Sequence, residues 1–322
     1  MGSILGCRQG ALAMAAGISV GRSPFLRVDD PSFNRRRGRG DGEEESFEEM
    51  KNRRILEERA KLFKKAGNSD HAMLAGAFLD WENLDAGGGK RKQYCETLGL
   101  NWNGMRDIQK LVNQLDSSLR SAGYAASEES DRNAHSLRIL RACAVSSMAP
   151  GQLVRVHRPS TKYVDTAEGA LEKDGKAKEL KFFIRPQDDP EGNADPRSKE
   201  ERVFMHPSSA NFAVGNYSCP WLVYHSIVRT SKSFLRDATE CSAYALLLFG
   251  GQLDVQARNG VIVVDDWVKL SANARIGALI RGLREKMDDL LAQKIKDPTI
   301  DVANSTEMKL IVKLLVTDGL GN

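Results

Sequence analysis

Near residue 150 the spacing of apolar residues changes from the period of a helix to the alternation of a strand, and this change limits what the chain can fold into. Before it, Met73, Leu74, Ala77, Phe78 and Trp81 recur at helical spacing, as do Met105, Ile108, Leu111, Val112, Leu115 and Leu119. After it come runs of strand formers at 153–158, 179–185, 202–206, 221–228, 233–236, 253–257 and 261–270. The change predicts an α+β chain with a helical domain at 1–148 and a β domain at 149–322. A length of 322 residues suits two domains, each able to bury its own core.

In the helical part, the small apolar residues of 10–20 predict a closely packed helix ended by Pro24, and residues 47–66 form a charged helix. Asn68–Ser69–Asp70 supplies the N-cap of the next helix, and the glycines of 86–90 break the chain before another. His71, beside that cap, reads as a cap or core histidine. The stretch NRRRGRGDGEEE, in an insert near 34–46, cannot bury apolar area and is expected to be disordered. Its acidic half cancels its basic half, so it reads as a solvated insert more readily than as an RNA-binding arm.

In the β part, five or six strands with one inserted helix at 243–250 predict a small Greek-key barrel. Arg258–Asn259–Gly260 is a hairpin turn, because Asn-Gly tolerates positive φ. The loop near 186–201 has almost no apolar residue and is expected to be disordered. Ile276 to Ile295 form an amphipathic helix expected to pack on the barrel, and Ser305 caps a final helix with Met308 to Leu315 as its apolar part.

Composition excludes several classes. A net charge of +4 permits a nucleic-acid partner without arguing for one, so the position of charge must carry that case. The five cysteines show no CxxC and no zinc spacing with histidine, which predicts buried thiols in a reducing compartment and no metal site. Gly6 stands where myristoylation wants Ser or Thr, Arg8 interrupts any signal-peptide core, and no apolar run reaches membrane length. An intracellular place, cytoplasm or nucleus, is expected, with no membrane partner.

Two stretches imitate an ATPase. GALEKDGK at 169–176 has its glycines one residue too far apart for a phosphate loop, and Ala177 stands where a magnesium-binding Ser or Thr is needed. VIVVDD at 261–266 suggests a metal-holding strand but reads better as a barrel strand after a hairpin turn. No catalytic residues and no cofactor are expected in this chain.

Residues 203–236 carry donors interleaved with strand-forming apolar and aromatic residues, which suits a sheet surface holding a phosphate backbone. The wording RVFMHPSSANF, WLVYHSIVRTSKSFLRDAT and YALLLFGG resembles the OB-fold of DEAH/RHA-type RNA helicases. SDHAMLAGAFLDWE (69–82) and QYCETLGLNWNGMRDI (93–108) resemble the ratchet helices of the helicase-associated domain of those enzymes. The resemblance runs nearly the whole chain in the family's order. Departures are Gln9–Gly10 in place of Asp-Pro, Asn113 where arginine is common, and Ser147–Met148–Ala149–Pro150–Gly151 in place of Gly-x-x-Pro-Asn.

The resemblance implies a ratchet-like domain and an OB-fold that hold single-stranded or structured RNA by its backbone. RecA-like motor domains, outside this chain, would bind ATP and Mg²⁺, and an activating protein could dock on the OB-fold. The chain is accordingly expected to be a fragment, a divergent gene model or one part of a longer product. The RNA-contact candidates are Arg229, Thr230, Ser231 and Lys232, then His206, Ser208 and Ser209, and last Arg275. The alternative is a stand-alone OB-fold adaptor that docks on helicases or ribonucleoproteins without unwinding.

Overall fold

A computed structural model describes residues 1–28, 46–87, 89–149, 151–158, 163–166, 169–172, 177–185 and 200–318. Of the charged insert, 34–45 lie outside the described residues, and so do 186–199 of the second expected loop.

Ten α-helices are described. The first seven are α1 (Gly2–Leu5), α2 (Arg8–Val20), α3 (Phe47–Ala66), α4 (Asp70–Glu82), α5 (Lys90–Leu98), α6 (Trp102–Ser121) and α7 (Leu137–Met148). The reasons are local. Ser46 and Glu49 close a capping box on α3, and the Ser69 hydroxyl accepts from the Ala72 amide at the start of α4. α2 stops at Val20, before Pro24, because Gly21 takes a left-handed conformation with φ 67°. The small residues of α2 allow close approach: a Cβ on Gly17 would lie 2.1 Å from Leu74 Cδ2, and one on Gly10 2.4 Å from Leu140 Cδ2. Arg8 is buried at the start of α2 and donates to Asp116 at 2.8 Å and to Ser3 at 2.9 Å.

The barrel is closed, with strand order β1-β4-β5-β7-β6. Its members are β1 (Leu153–His157), β4 (Lys181–Ile184), β5 (Glu201–Met205), β6 (Trp221–Arg229) and β7 (Ser233–Glu240). Neighbours are antiparallel except β5 and β7, which run parallel. A separate hairpin of β2 (Tyr163–Thr166) and β3 (Gly169–Glu172) lies between β1 and β4 in sequence, so the first half of the phosphate-loop lookalike is a strand. Alternation puts Val154 and Val156, Phe182 and Ile184, Val203 and Met205, and Leu222 and Tyr224 into the barrel core.

Residues 253–270 are not barrel strands, contrary to the sequence expectation. β8 (Leu253–Gln256), β9 (Val261–Val264) and β10 (Val268–Ser271) form their own three-stranded sheet. Asp265 and Asp266 take φ values of 56° and 55°, so VIVVDDWVKL folds back on itself as a hairpin. The barrel has no edge left for these strands, since β1 already pairs with both β4 and β6. The β8–β9 loop takes four residues, with only Gly260 of the Asn-Gly pair at positive φ.

The remaining helices are α8 (Ala243–Phe249), α9 (Ala274–Lys296) and α10 (Thr306–Thr317), the last capped by Ser305. α9 packs on β8 and the other C-terminal helices rather than on the barrel. At Gly277 an added Cβ would lie 2.6 Å from Val255 Cγ1. Consequently Leu246, Ile262, Val264, Ile280, Met308 and Leu315 share one core with the N-terminal helices, while the barrel has a second core of its own. β6 serves both, with Leu222 and Tyr224 facing one core and Trp221 and Val223 the other.

The end of the second expected loop is held in place. Glu200 makes a two-pronged ion pair with Arg155 and accepts from the Trp267 indole at 3.0 Å, and Glu201 opens β5. No helix of the described residues is long and apolar enough to cross a membrane.

Candidate nucleic-acid interface

The β6–β7 hairpin closes on the pair Arg229 and Ser233, and Thr230, Ser231 and Lys232 form its loop. The Thr230 amide donates to the Lys232 carbonyl at 3.0 Å, which draws the loop tight. The four expected contact residues are thereby gathered on one exposed turn at the barrel rim. Their surroundings differ. Arg229 lies 3.5 Å from a Glu201 carboxylate oxygen, and the other oxygen of that carboxylate accepts from Ser233 at 2.7 Å. Lys232 has no carboxylate partner among the described residues and sits 4.8 Å above the Phe204 ring.

His206, Ser208 and Ser209 follow β5. The His206 Nδ1 lies 2.7 Å from the Ser208 hydroxyl and accepts from the Ser208 amide at 3.1 Å, so the imidazole holds its own turn. Burial and then the nearby Arg236 charge hold this imidazole below the usual histidine range. Ser209 is buried, and its hydroxyl donates to Asp70 at 2.6 Å, which leaves it no donor for a ligand. Arg275 stands apart, exposed in the first turn of α9 beside the three-stranded sheet.

Between the helices and the barrel lies an open cleft of about 2170 Å³. Its helical wall carries Arg22 and Arg27 after α2, and Lys64 and Lys65 in the last turn of α3. Its barrel wall carries Arg236, the His206–Ser208 turn and Phe212, which is 52% exposed. No side chain among the described residues pairs with any of these five cations. Lys64 and Lys65 also complement the negative end of the α3 dipole. Arg59 and Arg141 line the same cleft but are spent on backbone carbonyls, Arg59 on Leu98 and Gly99, and Arg141 on Gly67.

The two walls are joined at the cleft floor. Asp70 accepts four hydrogen bonds, from the Ser209 hydroxyl, the Asn211 amide group and the backbone amides of Ala210 and Ala238. Burial nonetheless pushes its carboxyl up to about 6. Beside it, Ser69 and His71 both meet the Thr239 hydroxyl, at 2.7 and 2.8 Å, and burial pushes the His71 imidazole down to about 3. Asn68 donates to Glu240 at 2.7 Å.

Sequence reading missed the cleft cations because Lys64 and Lys65 look like two among many charges on α3. It also missed Arg202 and Phe204, which share the outward face of β5 with the expected His206, although the alternation that sends Val203 and Met205 inward could have found them. Such a set of free cations and partly exposed rings can hold phosphates and stack on bases. No cluster of metal-ligating residues occurs among the described residues.

Comparison with known proteins gives the same outline. Residues 1–74 match the ratchet-like helicase associated domain (HA2), residues 140–253 the oligonucleotide/oligosaccharide-binding (OB)-fold, and residues 260–317 the C-terminal domain in RNA helicases. A Mycosarcoma maydis protein named for a DEAH-box ATP-dependent helicase is 32% identical over 268 residues, covering 73% of this chain and 16% of that protein. The ATP-dependent DNA/RNA helicase DHX36 of Homo sapiens is 29% identical over 253 residues, covering 76% of this chain and 22% of that protein. The ATP-dependent RNA helicase DHX29 of Mus musculus is 25% identical over 327 residues, covering 98% and 20%. The chain thus spans about a fifth of the length of the curated relatives it matches.

Proposed function

Because this chain belongs to the C-terminal region of the DEAH/RHA-type ATP-dependent RNA helicases, we propose that it binds a single RNA strand through the phosphate backbone, in the cleft between its helices and its barrel. One observation carries this reading. Unpaired cations face the cleft from both sides, Arg22, Arg27, Lys64 and Lys65 from the helices and Arg236 from the barrel. Exposed cations without carboxylate partners lose little on meeting phosphates, and each contact releases a counterion. Such contacts position a strand and do not read its sequence.

The strand in this reading leaves the cleft past the His206–Ser208 turn and reaches the hairpin at Arg229–Lys232. Ser209 takes no part, since its hydroxyl is committed to Asp70. ATP hydrolysis belongs to RecA-like domains with which this chain would work, and the chain supplies a grip on the strand rather than a catalytic group.

The test is a titration of the purified chain with a labelled oligouridine at several salt concentrations. Each phosphate contact should contribute a slope of about −0.7 in log affinity against log salt. The double substitution Lys64→Ala, Lys65→Ala should flatten the slope by about 1.4 if both lysines meet phosphates. Absence of binding at low salt, or a slope that the double substitution leaves alone, would remove the cleft from consideration.

A further inference from the structure

Two neighbouring strands of the barrel present a solvent-facing row that core packing does not require. β5 and β7 run side by side, with Phe204 beside Phe234 and Met205 beside Leu235. Val203, Met205 and Leu235 face the barrel core, so alternation turns Arg202, Phe204 and His206 outward on one side, and Phe234 and Arg236 on the other. The rings form a continuous group. The centroids of Phe204 and Phe234 are 6.1 Å apart, and His206 meets Phe234 edge-on at 6.0 Å.

Cations frame these rings. The Arg202 guanidinium lies 5.1 Å above the Phe204 ring centre and the Lys232 ammonium 4.8 Å above it. No carboxylate among the described residues pairs with Arg202, Lys232 or Arg236. Both phenylalanines are half-buried, with ring surface left to solvent. The row is also continuous with the cleft, because His206 and Arg236 belong to both.

We propose that this face is a base-stacking platform, on which Phe204 and Phe234 receive unpaired nucleobases while Arg202, Lys232 and Arg236 hold the adjoining phosphates. The proposal rests on the strand-binding reading above and adds to it, since phosphate binding alone has no use for partly exposed rings. A cation on a flexible stem covers Phe204 when no strand is present. An arriving base replaces it on the ring, and the freed cation reaches a phosphate at the rim. The exchange is favourable because stacking of a base on an aromatic ring is stronger than an exposed cation–π contact. Every base has a flat π-face, so the platform tolerates any sequence. Three cations without a carboxylate partner among the described residues favour a polyanion over a peptide as the occupant.

Two probes of equal phosphate count test the proposal on the full chain: an oligouridine of about 16 nucleotides, the upper site size of one OB-fold, and an abasic ribose-phosphate strand of the same length. Wild-type protein should bind the oligouridine more tightly. Phe204→Leu, which keeps apolar cover but removes the ring, should weaken oligouridine binding by about tenfold and leave the abasic affinity and the salt slope unchanged. Phe204→Tyr should retain binding, and Phe234→Leu should behave as Phe204→Leu. Equal affinity of wild type for both probes, or an oligouridine affinity indifferent to Phe204→Leu, would overturn the platform while leaving backbone binding intact; a protein would then be its occupant. Failure of both probes to bind would remove the strand-binding reading and the platform with it.

Discussion

The Asp70 carboxylate stands 2.6 Å from the Ser209 hydroxyl, 139 residues further along the chain. Asp70 opens helix α4, and Ser209 caps the short turn after strand β5, so this bond ties the helices to the barrel. Around it, Ser69 and His71 share the Thr239 hydroxyl, and Asn68 and Glu240 are joined by two further bonds. The cleft cations lie on both sides of this seam, so its rigidity sets the distance between the two walls.

Asp70→Ala should cost about 2–4 kcal/mol, because it leaves two backbone amides and two side-chain donors without their acceptor. Chemical denaturation of both proteins measures this. Equal stabilities would mean that water or a neighbouring carbonyl replaces the carboxylate without loss.

Asp70 and His71 should oppose each other in acid. The folded-state value of Asp70 is raised to about 6, so between about 4 and 6 the native state holds a proton that the unfolded chain has released, and stability falls as pH rises. The folded-state value of His71 is lowered to about 3, so between about 3 and 6.5 only the unfolded chain is protonated, and stability rises with pH. In the wild type the two slopes nearly cancel from about pH 4 to 6. His71→Gln removes one of them. Compared with wild type, its stability should decline as pH rises through that window; an unchanged difference at pH 4, 5 and 6 would refute the opposed pair.

At the hairpin, Lys232→Ala should flatten the salt dependence of strand binding by about 0.7, one phosphate contact. Arg229→Ala should do less, because Arg229 already faces Glu201 at 3.5 Å. Glu201→Gln should then steepen the slope by freeing that arginine. Titrations over a range of salt decide among these, and identical slopes for all three variants would take the hairpin off the strand's path.

Gly17→Val should destabilise the chain by about 1–3 kcal/mol through overpacking, since even a Cβ at this position would lie 2.1 Å from Leu74 Cδ2. Thermal or denaturant unfolding checks it. A neutral result would show that Leu74 can move aside.

Much of the fold was legible because local rules govern it. Serine at positions 69 and 305 predicts the starts of α4 and α10, and the tight turn at Thr230–Ser231 follows from two strands meeting there. Such rules act over three or four residues, and so they misjudged VIVVDDWVKL. Two adjacent aspartates with positive φ turn that run back on itself, and the neighbouring residues contain no glycine that would have marked the turn.

What the sequence determined by itself was the succession of elements, a helical part followed by a strand-rich part, and the resemblance that named the family. Tertiary structure alone decided which distant groups would meet. Closure of the barrel through β1 and β6 removed the edge that residues 253–270 would have needed, and sent them to the core of the N-terminal helices. The same closure brought Ser209 and Ala238 to Asp70, and set Phe204 beside Phe234. Periodicity and capping are properties of a chain segment and can be read from neighbours. A buried carboxylate surrounded by donors, or a row of rings framed by cations, depends on the positions of groups more than a hundred, or some thirty, residues apart, which only the folded backbone supplies.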